Sequence, residues 1–339
     1  MALPTGTNGV FAPVRLDGLL LAKTDTRTPL FNMLGGVASG SREFLVGAEY
    51  EIGDASQPAI SEDASMTAPT PSYDQPTQAK NVTQMFHKAV AESYRSESDV
   101  MALTGLHLAG GQPNVKSKLA FSVANRTAEI RNEIEYVIIN GEYNLATTSA
   151  QADKTRGLNA AITSNIVAAG GAELGPDLLI EMARDLVATS PYGLEGIVGV
   201  LNAEQVVQLN KIVVNEGQRI AYDDAGSNLL KYRTPFGTLY FVEGGHRYQP
   251  NGTAGFYRLG ICRNVLQSVP GKGNFFYEAL AKTGASDSGQ IFGQWGLDHG
   301  HEWMHGKITG LATTTGASTA PKVFIENDAD APVYTLAVS

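Results

Sequence analysis

Hydrophobic and polar positions change their period several times along this chain, and each change marks a predicted element. Residues 1–40 carry short apolar patches, Leu19-Leu20-Leu21 and Leu30-Phe31, among Gly, Pro and Thr, with neither a helical nor a strand period. This predicts an extended arm, and because exposed apolar patches are costly, an arm that lies along a neighbouring surface. The run Phe44-Leu45-Val46-Gly47-Ala48-Glu49-Tyr50-Glu51-Ile52 and a stretch around Met85-Phe86-His87, within Val82 to Tyr94, read as strands. Between them, Asp54 to Lys80 holds Pro58, Pro69, Pro71 and Pro76 among Ser, Thr, Asp and Gln, an insertion that cannot build a core of its own.

Val115 to Asn140 has the strongest helical period, with Val123, Ile130, Ile134, Val137 and Ile138 on one stripe and Gly141 as the stop. Arg131 and Glu135 stand four apart on what this reading makes the polar side. A second helix is predicted from Pro176 to Ala188, striped by Leu178, Met182 and Leu186. A third starts at Asn202, whose pairing with Gln205 has the spacing of a capping box. Short strands at Ile197–Leu201 and Gly237–Val242 make Gly157 to Tyr257 an α/β lobe. From Phe256 on the pattern turns to β: Phe256–Ile261, Phe275–Ala281 and a long run from Gln290 to Leu311, joined by the turn-rich Lys282–Gly289 as an antiparallel hairpin. Ala312 to Ser339 reads as a Thr/Ala-rich linker with a strand-like end at Val323-Phe324-Ile325, and no internal repeat occurs.

Composition narrows the function. At 339 residues the chain exceeds the roughly 250–300 at which single cores stop growing, which predicts two or more lobes. Charged residues are only 17 %, against roughly 25 % in typical soluble domains, so much of the surface is uncharged and suits contact with other protein surfaces. The net charge of −9 and the lack of any basic run argue against a protein that grips nucleic-acid phosphates. A single cysteine, Cys262, excludes an internal disulfide and points to synthesis in a reducing compartment, with the thiol as a small buried hydrophobe. Met1 to Val14 lacks the charged and apolar regions of a signal peptide, and no run of 18 apolar residues occurs, so neither signal-peptide export nor a membrane span is expected.

Three motifs invite a chemical reading. His301-Glu302-Trp303-Met304-His305 matches the zinc-protease signature, in which two His one helical turn apart bind Zn²⁺ and Glu activates a water. Its flanks run with period two (Ile291, Gly293, Trp295, Leu297, then Ile308, Gly310) and are glycine-rich, which predicts a strand on which His301 and His305 lie about 13 Å apart and cannot share a metal. His299 and His301 would be the nearer pair, joined by Asp298 or Asp287 at most as an adventitious site. Gly110-Gly111-Gln112-Pro113-Asn114-Val115-Lys116-Ser117 falls short of a phosphate-binding loop, because Val115 replaces the glycine before the lysine and Pro113 lacks an N–H. The sequons at Asn81, Asn125 and Asn251 have no meaning without a secretory route.

The order of arm, long hairpin, long helix, α/β lobe and terminal β segment resembles the major capsid proteins of tailed bacteriophages, the Hong Kong ninety-seven fold. The resemblance is to a capsid-like family within that group. It rests on Asn81-Val82-Thr83-Gln84-Met85-Phe86, Arg131-Asn132-Glu133-Ile134-Glu135, Gly157-Leu158 with Thr163-Ser164-Asn165, Leu280-Ala281-Lys282-Thr283-Gly284, and the ending Ile308-Thr309-Gly310-Leu311. It implies an α+β fold with an N-terminal arm at 1–40, an extended loop at 41–100, a peripheral domain at 101–156 and 258–312 with its spine helix at 115–140, an axial domain at 157–257 and a tail at 313–339. It further implies a non-enzymatic shell protein of the virion, made in the host cytoplasm, that assembles with itself into hexamers and pentamers of an icosahedral shell. That shell encloses double-stranded DNA without specific binding, needs no cofactor or metal, touches no membrane, and has scaffolding, portal and decoration proteins as further partners. Phe44, Tyr50, Tyr73, Phe86 and Tyr94, the aromatics of the loop, are then candidates for contact between subunits. A zinc hydrolase using His301, Glu302 and His305, with Glu326 as a third ligand, is the alternative from another class; a compartment shell or a tail component is a further one.

Overall fold

The computed structural model describes residues 27–50, 55–71, 76–98, 117–215, 229–242, 245–282 and 284–313. Leu19-Leu20-Leu21, Tyr73, most of the glycine-rich turn before Ser117, Val323-Phe324-Ile325 and Glu326 lie outside these residues.

Helix α1 (Pro29–Met33) opens the described chain and β1 (Gly35–Ser39) follows it. Strand β2 (Glu43–Glu49), helix α2 (Glu62–Ser65) and strand β3 (Thr77–Val82) form a hairpin, β2 pairing with β3 from Glu43↔Val82 to Glu49↔Thr77. A bulge at Gly47, whose φ is +46°, shifts the register between Val46 and Ala48. The insertion therefore includes a strand that its polar composition did not announce: only Asn81 and Val82 of β3 are buried, so no hydrophobic alternation betrays it. Strand β4 (Gln84–Ser93) and the short helix α3 (Tyr94–Ser98) come next.

Helix α4 (Lys118–Asn140) is capped by Ser117, whose hydroxyl accepts from the Ala120 amide, and buries Ile130, Ile134, Ile138 and Ile139. Glu135, expected on the polar side, is fully buried instead. Its two carboxylate oxygens accept the amides of Leu30 and Phe31, each at 2.8 Å, and so satisfy the free N–H groups at the start of α1. Gly141 does stop the helix, but in an extended conformation; it is glycine because a Cβ would come within 2.6 Å of the Thr155 carbonyl oxygen. Gly157 faces it under the same constraint and precedes α5 (Leu158–Ala161).

The chain continues through β5 (Ile166–Ala168), α6 (Pro176–Thr189), β6 (Ile197–Val200), α7 (Ala203–Asn215), β7 (Leu229–Thr234), β8 (Gly237–Val242) and β9 (Thr253–Arg258). It then forms β10 (Arg263–Gln267), β11 (Phe275–Ala279), β12 (Ser286–Asp298) and β13 (Gly306–Thr309). Two compact units result. One holds the described residues up to Ser164 with Glu195–Ile197 and Tyr257–His305; the other holds Asn165–Leu194, Val198–Phe256 and the described residues from Gly306.

In the first unit β12 is the central strand. It pairs antiparallel with β4 along Ser286–Trp295 on one edge and, on the other, with β11 along Gly289–Gly293 and with β10 along Gln294–Asp298, while β1 adds to β10 in parallel. Trp295 is fully buried there and its indole N–H donates to Asn264 Oδ1 at 3.0 Å. In the second unit the strand order is β5-β13-β9-β6-β8-β7. Helix α6 buries Leu179, Met182, Ala183 and Leu186, so Leu179 takes the place expected of Leu178. The capping box of α7 is present in both directions: the Gln205 amide donates to Asn202 Oδ1 at 2.9 Å, and the Asn202 amide to Gln205 Oε1 at 3.0 Å.

The long strand expected from Gln290 to Leu311 is two strands in different sheets. Strand β12 ends at Asp298, whose carboxylate accepts the Gly300 amide at 2.9 Å, and Gly300 turns the chain with a φ of +65°. A 3₁₀ turn over Glu302–Met304 then leads to β13.

Candidate assembly surfaces and the histidine-rich turn

The zinc-protease look-alike is neither a helix nor the expected strand but this turn, and each of its polar residues is committed to a backbone partner or a hairpin contact. Glu302 accepts the amides of Thr163 and Ser164 at 2.9 and 3.1 Å and the Ser164 hydroxyl at 2.5 Å. Partial burial alone would raise its pKa, but these hydrogen bonds outweigh it and hold the carboxyl below its ordinary value. Thr163-Ser164-Asn165, which carried part of the resemblance, is thus a loop gripped by the glutamate of the signature.

His305 is fully buried, not on a solvent-facing strand. Its Nδ1 accepts the Arg258 amide at 3.1 Å, which leaves Nε2 to donate to the His299 carbonyl oxygen at 2.7 Å. His299 is also buried, and neither of its ring nitrogens finds a hydrogen-bond partner among the described residues. Burial pushes the pKa of both imidazoles down to about 4, helped at His299 by the charges of His305 and Arg156. Cys262 packs beside them, its sulfur 3.5 and 3.6 Å from the carbonyl oxygens of Arg258 and His299, and burial pushes its thiol pKa up.

Of the three histidines His301 alone stays partly open, and it serves the hairpin. Its Nδ1 lies 3.6 Å from Glu49 Oε2. Trp303, stacked on it at 5.4 Å between ring centroids, donates its indole N–H to the same Glu49 oxygen at 2.7 Å. The imidazole also covers Gly47, where a Cβ would approach Nδ1 to 2.9 Å. The turn therefore braces β2 and with it the hairpin. With Glu302 gripping Thr163–Ser164 and both nitrogens of His305 engaged, the residues do not converge as ligands, and among the described residues no cluster of three or more His, Cys, Asp or Glu could hold a metal.

The other end of the hairpin is held by Asn81, also fully buried. Its amide donates to the carbonyl oxygens of Leu297 at 2.7 Å and Arg156 at 3.1 Å, and its Oδ1 accepts the amides of Arg156 at 2.8 Å and Val82 at 3.0 Å. A sequence match set aside as a meaningless sequon is thus an internal staple.

Beyond these anchors the hairpin is open: every described residue from Ala55 to Pro71 is exposed. Of the aromatic contact candidates, Tyr50 is 67 % exposed and Tyr94 44 %, the latter accepting from Lys282 Nζ at 2.8 Å. Phe44 is half-buried, its ring against Gly296. Phe86 is withdrawn as a candidate, because it is core, packed edge-on to Trp295 with ring centroids 6.3 Å apart. Sequence reasoning passed over Ile60 and Met66, at 73 % and 77 % among the most exposed apolar residues described. The available signal was an isolated apolar side chain in a segment with no core to receive it.

The sequence matches the family described as SU10 major capsid protein over residues 3–312. No curated protein matches it. Among solved structures, the chain resembles the SrpI encapsulin of Synechococcus elongatus, with a TM-score of 0.55 and 12 % identity over 86 % of this chain and 93 % of that one. It also resembles the capsid of a native GTA particle (TM-score 0.54, 14 % identity, 86 % and 92 % covered) and a chain from Mycobacterium phage Che8 (TM-score 0.52, 11 % identity, 91 % and 98 % covered). At such identities the likeness concerns the fold, which is the α+β capsid fold expected from the order of parts.

Proposed function

Because the chain belongs to the SU10 major capsid protein family, and so is a structural protein of the virion, we propose that its subunits join in hexamers and pentamers that close into an icosahedral shell around packaged double-stranded DNA. The family match over nearly the whole described chain carries this reading. The net charge of −9 agrees with a lining that does not trap the DNA, and the role is not catalytic. Residues 41–100 act as the extended loop over an adjacent subunit, 101–156 and 258–312 as the peripheral domain, 157–257 as the axial domain, with 1–40 as arm and 313–339 as tail. Synthesis takes place in the host cytoplasm, and scaffolding, portal and decoration proteins join the shell. No described helix is long and apolar enough to cross a membrane.

Tyr50, Tyr94, Ile60 and Met66 are the loop side chains offered to a neighbour, and a heterologous contact of this kind repeats around a ring until it closes. Negative-stain electron microscopy of the purified full chain tests the proposal. Closed shells or six-membered rings are expected; a monodisperse monomer at high concentration, or open fibres alone, would refute it.

A further inference from the structure

In the first unit the hairpin has two anchors of different chemistry. Asn81 holds one end through four hydrogen bonds of its side-chain amide, a group that does not titrate. At the other end, Gly47 and Glu49 of β2 rest on His301 and Trp303, which the turn at residues 299–305 carries. That turn is closed by the Met304 and His305 amides, which donate to the carbonyl oxygens of His301 at 3.2 Å and Glu302 at 3.1 Å. It is closed again by the His305 ring, which joins the Arg258 amide to the His299 carbonyl oxygen. Gly300, with its φ of +65°, bends the chain at the entry.

We infer that this turn is an acid-operated latch: proton uptake by His299 and His305 opens it and frees β2 at Gly47 and Glu49, while the hairpin stays hinged at Asn81. The closed turn and the protonated rings are incompatible. His305 Nδ1 has to remain an acceptor for the Arg258 amide, and a proton there would set two N–H donors against each other. His299 has no hydrogen-bond partner among the described residues, so a charge on its ring would be buried without compensation. The neighbouring groups do not relieve this. Arg156 acts on His299 and Arg258 on His305, both against protonation. Tyr257 offers His305 a tilted ring, and burial keeps the Cys262 thiol protonated. Glu302 is the carboxylate that acts on both, but its oxygens are taken by Thr163 and Ser164. Asp298 is held by the Gly300 amide and its pKa is raised by burial, and His301 adds a further cation in acid. Glu49 is the titratable group on the hairpin side of the contact. With closed-state pKa values of about 4 against an ordinary 6.5, opening gains about twentyfold per histidine between pH 7 and pH 5. The inference concerns the single subunit, goes beyond the shell reading and does not depend on it.

Hydrogen exchange of the full chain at pH 7 and pH 5, read by mass spectrometry and corrected for intrinsic rates, tests the latch. The amides of Arg258, Met304, His305 and Glu49 should open about twentyfold more often at pH 5, or more if both rings are exposed together, while those in the middle of α4 and β12 keep their protection. Glu49→Gln, which removes the hairpin's own acid group, should retain this pH dependence. His299→Phe should reduce it about twentyfold, as should His305→Gln, whose amide supplies an acceptor and a donor that do not titrate. If His305→Gln does not fold, His299→Phe decides. Opening of α4 and β12 in step with the turn would mean global unfolding and overturn the inference. So would an undiminished pH dependence in His299→Phe, or its loss in Glu49→Gln, which would assign the response to Glu49.

Discussion

Glu135 has both carboxylate oxygens occupied by backbone amides of α1 and no access to water. Glu135→Ala leaves those two N–H groups without their acceptor and is expected to cost about 2–4 kcal/mol, read by denaturant unfolding; Glu135→Gln, which keeps one acceptor, should cost less. His299 and His305 set the response to acid. Both have folded pKa values of about 4 against an ordinary 6.5, with Arg156, Arg258, His301 and Glu302 as the charged neighbours that modulate them. As pH falls below 6.5 the unfolded chain takes up protons that the folded chain refuses at these two sites, so their contribution to stability declines down to about pH 4 and then levels off. The loss approaches about 3 kcal/mol per histidine, since one pKa unit is about 1.4 kcal/mol. His299→Phe should remove part of this slope in a pH series of thermal melts; an unchanged slope would count against His299 as one of its sources. The roles of Glu135 and His305 were illegible in the sequence for one reason. A period tells which way a side chain faces on its own element, and cannot tell that a remote segment will arrive with unpaired amides to be met.

Elements with a local signal were legible. Asn202 and Gln205 carry the start of α7 in themselves, because the capping box exchanges hydrogen bonds within four consecutive residues. Asn202→Ala should therefore destabilise the protein by about 1 kcal/mol, somewhat more for the lost bond to Asn251, in equilibrium unfolding. Strand β8 and helix α6 were legible in the same way, from a dense apolar stripe and a proline at the first turn. The split between β12 and β13 was not, since period two persists on both sides of the turn and only the φ of Gly300 and the Asp298 cap divide them. Strands β1 and β3 escaped too: they lie at sheet margins with mostly exposed side chains, and their pairing rests on the backbone ladder, which has no hydrophobic signature.

At the scale of the molecule, the order of motifs told more than any single one, and the proposed assembly role of the hairpin can be tested apart from the stability of the subunit. Its base is fixed within the subunit by Asn81, Glu49, His301 and Trp303, whereas its tip from Ala55 to Pro71 buries nothing. Surface changes that touch no partner shift stability by about 0.5 kcal/mol or less. Ile60→Ser/Met66→Ser, and the replacement of Ala55–Pro71 by a short Gly/Ser linker, should leave the unfolding midpoint of the free subunit nearly unchanged. Both should depress shell yield in size-exclusion chromatography and electron microscopy, the linker variant to none. Base and tip then give opposite signatures, since Asn81→Ala strips buried carbonyls of their donor and must lower stability itself. Shells of normal yield from the linker variant would move the assembly contact away from the hairpin, whereas a destabilised subunit would mean that the tip packs within its own chain.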